Sequence, residues 1–506
     1  MSKKTYLMFF SLMFFSVFVS AEEKKERGLG KPPDETDITT PLPYQKSILT
    51  NSFRSGITYT ISSSGTYILT KSTSFVGGSG QIININSDDV ILDLAGQSIT
   101  NDTTANINGI EIQSGKSNIT IKDGVIRGIT GAGIVVGAGC KNVKIKNVTV
   151  DNCDKGGIDF QGTAGNSVSD CELINTGAIN CDGSALSAGT ATFGLKLNQC
   201  ETVRIADSFF NKNVVNSDNE TYYRASYGVY MGTTTGCHFD NSEAIGNKGV
   251  TAAGFYVCSN SLACGFSECL AAANTGTETL PDTQGHGMGF GVENSAGILF
   301  ENCTALANIA TTTAYGFYIA TSTANEITNC KANRQKTILA NSDNAGTGNA
   351  HGIYLGGGKH NLVQNCEARG NIGGSNANFF GTGIMLGAEQ GIGESSTEIS
   401  SCRACANDCD GGTGIGIYIS SDGPAITVSE NKIYSNLTFG LKDANTYSTA
   451  LAFKNICFGH GSIDNYNISY DGTSFVPISK VISALSNSGG VDSEAPVFQN
   501  ISLYVS

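Results

Sequence analysis

Gly254-Phe-Tyr-Val257, Gly316-Phe-Tyr-Ile319 and Gly352-Ile-Tyr-Leu355 repeat one pattern: glycine, an apolar residue, a free residue and a second apolar residue. The same box stands at Gly109-Ile-Glu-Ile112, Gly133-Ile-Val-Val136, Gly157-Ile-Asp-Phe160, Gly194-Leu-Lys-Leu197 and Gly228-Val-Tyr-Met231. It returns at Gly287-Met-Gly-Phe290, Gly383-Ile-Met-Leu386 and Gly416-Ile-Tyr-Ile419, and in shortened form at Gly440-Leu-Lys442. Successive box glycines lie 24 to 37 residues apart, a period that belongs to solenoids, propellers and arrays. The repeat covers about two thirds of the 506 residues, so one elongated body is expected rather than several globular domains.

Further along each repeat runs a second signature, seen in Asn241-Ser-Glu-Ala-Ile-Gly-Asn247, Glu268-Cys-Leu-Ala-Ala-Ala-Asn274, Asn302-Cys-Thr-Ala-Leu-Ala-Asn308 and Asn365-Cys-Glu-Ala-Arg-Gly-Asn371. Alternating segments such as Gly297-Ile-Leu-Phe300 precede it, so each repeat holds two or three short strands of period two between Gly- and Asn-rich turns. Strands this short close no core alone. Stacked in register, each pairs with the copies above and below, the interior fills with Ile, Val, Leu and Phe, and recurring Asn side chains bond one another and the turn backbone.

This pattern resembles the right-handed parallel β-helix superfamily, to which pectate lyases, polygalacturonases and many surface proteins belong. The resemblance spans about residues 60 to 480, and Gly65-Thr-Tyr-Ile-Leu69 through Asp88-Asp-Val-Ile-Leu-Asp-Leu-Ala-Gly-Gln-Ser-Ile99 looks like a first coil of that group. It implies an all-β, single-stranded right-handed parallel β-helix solenoid of about 12 to 14 coils with capping segments at both ends. Within the resemblance, residues 46–442 form the helix with its N-terminal cap, and 443–506 the last coils and the C-terminal cap.

Lys3 and Lys4 precede an apolar run from Tyr6 to Val19, and Val19-Ser-Ala21 offers a small-residue cleavage site. Residues 1–21 therefore read as a signal peptide, and 22–45 as a flexible linker. The apolar run falls short of the roughly 20 residues that span a bilayer, and no later segment is apolar enough to cross one. A secreted, periplasmic or surface-displayed monomer is expected. The net charge of −13 with 15 % charged residues offers no basic stripe for nucleic acid.

Of sixteen cysteines, Cys171, Cys269, Cys303, Cys330, Cys366 and Cys402 read as one repeat position, filled elsewhere by Ser208, Ser242 or Val148. A position that accepts Cys, Ser or Val is chosen for small volume, so an interior thiol stack is expected there. Cys258 with Cys264, Cys171 with Cys181, and Cys405 with Cys409 are the candidates for bridging. Cys402-x-x-Cys405-x-x-x-Cys409 has metal-like spacing without a nearby His, and no metal site is assigned.

The segment between the turn Asn and the next box glycine varies from five residues (Asn152 to Gly157) to fifteen (Asn213 to Gly228), so insertions gather at one corner beside the box strand. The free box residue faces outward there, and reading down the stack gives Glu111, Val135, Asp159, Lys196, Tyr230, Tyr256, Gly289, Tyr318, Tyr354, Met385 and Tyr418. A stripe of Tyr230, Tyr256, Tyr318, Tyr354 and Tyr418 suits stacking on sugar rings, with a polysaccharide or surface glycan as partner; it equally suits a ladder that stabilises the stack. The resemblance adds an enzyme alternative, a polysaccharide lyase or glycoside hydrolase. Its hydrolases group carboxylates near Gly-His-Gly, present here as Gly285-His286-Gly287, although His351-Gly352 makes His286 look like part of the repeat. Its lyases use Ca²⁺ with a Lys or Arg base, for which Asp159 and Lys196 are the candidates. A hydrolase would need two carboxylates about 5 to 9.5 Å apart in a groove beside the tyrosines.

Overall fold

The computed structural model describes residues 45–48, 53, 56–102, 104–183, 191–215, 225–277, 285–338, 348–374, 379–389, 392–393, 395–409, 412–420, 425–443 and 451–458, and short strands at 466–468 and 498–499. The expected signal peptide, nearly all of the expected linker, most of 443–506 and most of the corner insertions lie outside the described residues. Among the described residues no helix is long and apolar enough to cross a membrane.

The box strands form one parallel path of fifteen strands from Tyr59–Ile61 to Tyr466–Ile468. At about 4.8 Å per rung this path is roughly 67 Å long. The first apolar box residue stays in register throughout: Ile110, Ile134, Ile158, Leu195, Val229, Phe255, Phe290, Phe317, Ile353, Ile384, Ile417 and Leu441. A 30-stranded sheet carries the strands between the boxes, and a six-stranded sheet joins Lys248–Gly249 to Asp408–Cys409 at a corner. Gln45–Ser47 pairs parallel with Gly65–Ile68 at the start of the rod.

The register corrects one box. Ala252 pairs with Gly287 and Phe255 with Phe290, so the box glycine of that rung is Gly289 and its outward residue is Gly291. The shift also separates the two histidines, because His286 pairs with Thr313 whereas His351 pairs with Tyr315. His286 is therefore not the repeat counterpart of His351. Two Gly-Met/Phe-Gly readings two residues apart fit the string Gly287-Met-Gly-Phe-Gly291 equally well, and only packing chooses between them.

Close approach fixes the box glycine. A Cβ on Gly254 would stand 2.8 Å from both the Gly289 carbonyl oxygen and the Ala271 Cβ, so the position faces the interior. The next residue also faces inward, so the alternation breaks at the glycine, and the residues one before it and two after it both lie on the outer face. Inside, Phe239, Phe266 and Phe300 stack at 5.0 Å steps, and Phe255, Phe290 and Phe317 at 5.1 and 4.8 Å. The two columns meet edge to face at 5.4 to 6.2 Å. Each buried ring contributes about 1.5–3 kcal/mol.

The turn asparagines form the expected ladder. Nδ2 of Asn213, Asn247, Asn274 and Asn308 donates to the side-chain oxygen on the next rung at 2.9–3.0 Å, and Gln335 occupies one rung of the column. The cysteine reading needs correction. Strand register places Cys269, Cys303, Cys330, Cys366 and Cys402 in one column with Ser242 and Ser208, but Thr176 holds the place assigned to Cys171. Cys171 sits in a neighbouring column, before the strand Glu172–Ile174 that pairs with Arg204–Ala206. Small volume is half of this column's logic; the other half is hydrogen bonding. Ser242 Oγ accepts from the Ser208 N–H at 3.3 Å, and Cys330 Sγ from the Cys303 N–H at 3.3 Å, which satisfies turn donors that would otherwise be buried bare.

All sixteen cysteines are buried, and none of them forms a disulfide among the described residues. None of the three expected bridges forms: Cys264 Sγ lies by Thr234, Cys181 by the Ile179 carbonyl, and Cys409 by the carbonyls of Gly374 and Phe379. Burial pushes the Cys171 thiol up to about 12, and such thiols are inert toward exchange.

Candidate functional site

On the outer face of the box strands a groove of about 1020 Å³ runs from Gly80 to Tyr227, Tyr230 and Thr251. Its floor is written by the free box residues of four consecutive rungs: Glu111, Val135, Asp159 and Lys196. A smaller adjoining hollow of about 450 Å³ continues it over Gln113, Gly137, Gln161 and Asn198, two residues further along the same strands.

Each floor carboxylate is held by an amide two residues along its own strand. Gln113 Nε2 donates to Glu111 Oε1 at 2.9 Å and Gln161 Nε2 to Asp159 Oδ2 at 2.7 Å. Glu111 also accepts from Asn108 Nδ2 at 3.3 Å. The rung between them carries Val135 and Gly137 instead, so nothing long rises between the two acids. Their strands lie two rungs apart, about 9.6 Å at the backbone.

Asp159 is 7 % exposed, and its Oδ1 makes no hydrogen bond among the described residues. Lys196 Nζ stands 3.7 Å from it. Burial holds the Asp159 carboxyl above its usual range, against the opposing pull of Lys196 and Gln161. Lys196 Nζ also lies 5.4 Å from the centroid of Phe193, whose ring leans over the preceding rung at Gly156. Gly156 has φ 146° and a Cβ there would meet that ring at 2.6 Å, so only glycine leaves Phe193 its place in the floor.

The tyrosine stripe is present in register but packs largely on itself. Tyr230 and Tyr256 stack at 6.2 Å and Tyr318 and Tyr354 at 5.5 Å, Tyr256 stacks also on Tyr227 at 4.9 Å, and Tyr256 Oη donates to Glu293 at 2.6 Å. Tyr354 and Tyr418 are under 10 % exposed. Of the five stripe tyrosines, Tyr230 lines the groove. Its hydroxyl accepts from Cys258 Sγ at 3.3 Å, and burial with this contact pushes it up to about 12. His286 lies beyond the groove beside Tyr315, with its ring lowered by burial, and His351 bonds Thr382 with its ring lowered to about 3. The structure thus brings together Asp159, Lys196 and Tyr230 and leaves His286 apart from them.

Sequence reasoning missed Gln113, Gln161, Phe193 and Tyr227. Glu111-Ile-Gln113 and Asp159-Phe-Gln161 share an acid-x-Gln string that could have flagged the first two. Phe193 and Tyr227 precede box glycines, where strict alternation assigns them to the interior. A Ca²⁺ ion would need six to eight oxygen ligands. Here each carboxylate faces amide N–H donors, and Asp159 faces an ammonium, so this donor set does not fit Ca²⁺.

The family described as a right-handed β-helix region matches residues 274–456. No curated protein matches the sequence. Among solved structures, the A-module of an Azotobacter vinelandii mannuronan C-5 epimerase is similar at 11 % identity, covering 81 % of this chain and 92 % of its own, with a TM-score of 0.43. A periplasmic alginate epimerase is similar at 9 % identity, covering 79 % and 78 %, with a TM-score of 0.43. The pectate lyase Pel9A is similar at 14 % identity, covering 67 % and 71 %, with a TM-score of 0.29. The strand register shows the parallel stacking and the family match supplies the hand: the chain has a right-handed parallel β-helix fold.

Proposed function

We propose that the chain is an exported glycan-binding protein that holds a polysaccharide along the groove from Glu111 to Tyr230. The observation that carries this reading is Asp159 Oδ1, buried in the groove floor with no hydrogen bond among the described residues and with the Lys196 ammonium 3.7 Å away. A buried carboxylate oxygen in that state favours a ligand that brings a donor, and a sugar hydroxyl does so. Amide, carboxylate and ammonium groups along the floor beside aromatic rings supply the mixed polar and apolar surface that sugars present in return. A glycan-array screen tests it, with Asp159→Asn as the control: saturable binding weakened about tenfold or more supports the reading, as expected for one hydrogen bond to a charged group. An array without hits refutes it.

A second reading, hydrolysis of the bound glycan, is favoured by the raised Asp159 carboxyl opposite Glu111. In that reaction Asp159 gives its proton to the glycosidic oxygen, whose bond to the anomeric carbon breaks as the rest of the chain leaves as an alcohol. Water standing over Val135 attacks the anomeric carbon and loses a proton to Glu111. The strands of the two acids stand about 9.6 Å apart at the backbone, at the upper edge of the spacing that leaves room for a water in an inverting reaction. A reducing-end assay on the array hits separates the two readings, since binding without product release removes the enzyme for those glycans.

A further inference from the structure

We infer that the groove takes the end of a polysaccharide chain, not its middle. This rests on the reading of the face as a glycan groove, and concerns which part of the glycan it accepts. The groove is asymmetric along the rod. At its first rung, Gly80 is exposed, with φ 96° and, among the described residues, nothing within 4 Å of where a Cβ would stand. Among the described residues that end is open. Five rung steps later, about 24 Å along the axis, the lining stops at Tyr227 and Tyr230, with Thr251 alone contributed from the next strand.

The two tyrosines close this end because of how their rings lie. Tyr227 stacks on Tyr256 at 4.9 Å with an interplanar angle of 14°, and Tyr230 on Tyr256 at 6.2 Å and 28°. The partner is one rung further on, and the 4.9 Å separation equals the rung spacing, so the rings are piled along the axis and turn their faces to it. A small residue on the next rung makes room for the pile: Tyr227 pairs in register with Ala253 there, and with Phe193 on the rung before it. Tyr256 in turn leans over Gly291, where a Cβ would meet its ring at 2.8 Å, and is tied down by Glu293. The pile is braced from behind. Tyr227 is 8 % exposed and forms the base of the pile, so the ring that stands across the path of a chain lying on Glu111, Asp159 and Lys196 is the part-exposed Tyr230, in register with Lys196, and the terminal sugar stacks there.

The test counts protein bound per chain. Short and long fractions of mannuronan, of polygalacturonate and of a soluble neutral β-glucan are titrated with the full chain and the complexes sized by light scattering. End recognition gives one protein per polysaccharide chain at every length, so that bound protein follows the number of chain ends. Bound protein that follows polymer mass, with several copies on a long chain, overturns the inference while leaving the glycan groove standing. No binding by any fraction overturns the glycan reading and this inference together. In the double variant Tyr227→Ala, Tyr230→Ala, the end is open, and bound protein is expected to rise with chain length. If that variant does not fold, borohydride reduction and enzymatic trimming of the two ends in turn replace it. Loss of binding on altering one end supports the inference, and indifference to both overturns it.

Discussion

Asp159 Oδ1 stands 3.7 Å from Lys196 Nζ one rung away, yet the Asp159 carboxyl is held above its ordinary range. A nearby ammonium favours the carboxylate, so burial must outweigh it here. The consequence concerns stability as well as binding. Because the folded value lies above the unfolded one, the neutral carboxyl stabilises the fold below the unfolded value of about 3.9, and that stability is lost as pH rises through the folded value. Asp159→Asn stays neutral throughout. Its stability relative to the parent chain should increase between pH ~3.5 and neutrality, read as the difference in urea midpoint at the two ends of that range. A difference that stays flat across the range would contradict the raised carboxyl.

The asparagine ladder makes a sharper stability prediction. Asn308 Oδ1 accepts from the Asn274 N–H at 3.1 Å and from Asn274 Nδ2 at 3.0 Å, all three groups being buried. Asn308→Ala leaves the Asn274 N–H bare and takes one of the two bonds of its Nδ2, which keeps the Ala244 carbonyl at 3.2 Å, at about 1–3 kcal/mol for each bond lost. A loss of about 2–5 kcal/mol is expected in chemical unfolding. Gln335 supplies the contrast, because its Nε2 turns to the Ala305 and Asn333 carbonyls and gives no bond to Asn371. Gln335→Asn restores the run and should be neutral or stabilise by up to about 1 kcal/mol.

Inward and outward places along Gly-apolar-x-apolar follow from period two, and so the residues alone set Asp159, Lys196 and Tyr230 on one face. The glycine itself breaks that period, which hides Phe193 and Tyr227 from the outer face. Register is ambiguous where glycine recurs every second residue, and the rung of His286 shifts by two for that reason. The spacing of Cys171 from the turn fits two columns of small residues five positions apart, and strand pairing alone separates it from Thr176. The groove depends on the absence of long side chains at Val135 and Gly137 between two acids. It is a relation among rungs 24 to 37 residues apart, visible only once they are stacked.

The buried thiol column gives a chemical prediction. With all sixteen cysteines buried and outside disulfides among the described residues, the native protein should react slowly with Ellman's reagent, and sixteen thiols should appear on denaturation. Fewer than sixteen would reveal bridges. Within the column, Cys330→Ser keeps an acceptor for the Cys303 N–H and should cost under about 1.5 kcal/mol. Cys330→Leu removes the acceptor and overfills a small site, and should cost about 2–5 kcal/mol.

Gly291 links the repeat to the groove's closed end. It occupies the outward position held by tyrosine in the rungs on either side, and Tyr256 lies across it to reach Glu293 at 2.6 Å. In Gly291→Ala the new Cβ would stand 2.8 Å from the Tyr256 ring, so the ring swings away and the bond to Glu293 is lost. The backbone there has no positive φ to strain, so the effect is confined to the tyrosine pile. A loss of about 1–2 kcal/mol is expected. The chain contains no tryptophan, so the near-ultraviolet circular dichroism reports its tyrosines directly, and the variant should weaken that signal while the far-ultraviolet spectrum keeps its β form. Tyr256→Phe removes the same hydroxyl bond but leaves the ring over Gly291, and it should preserve the stacking signal. If both variants weaken it equally, the Glu293 bond rather than the glycine sets the pile, and the brace behind Tyr227 and Tyr230 lies in the carboxylate.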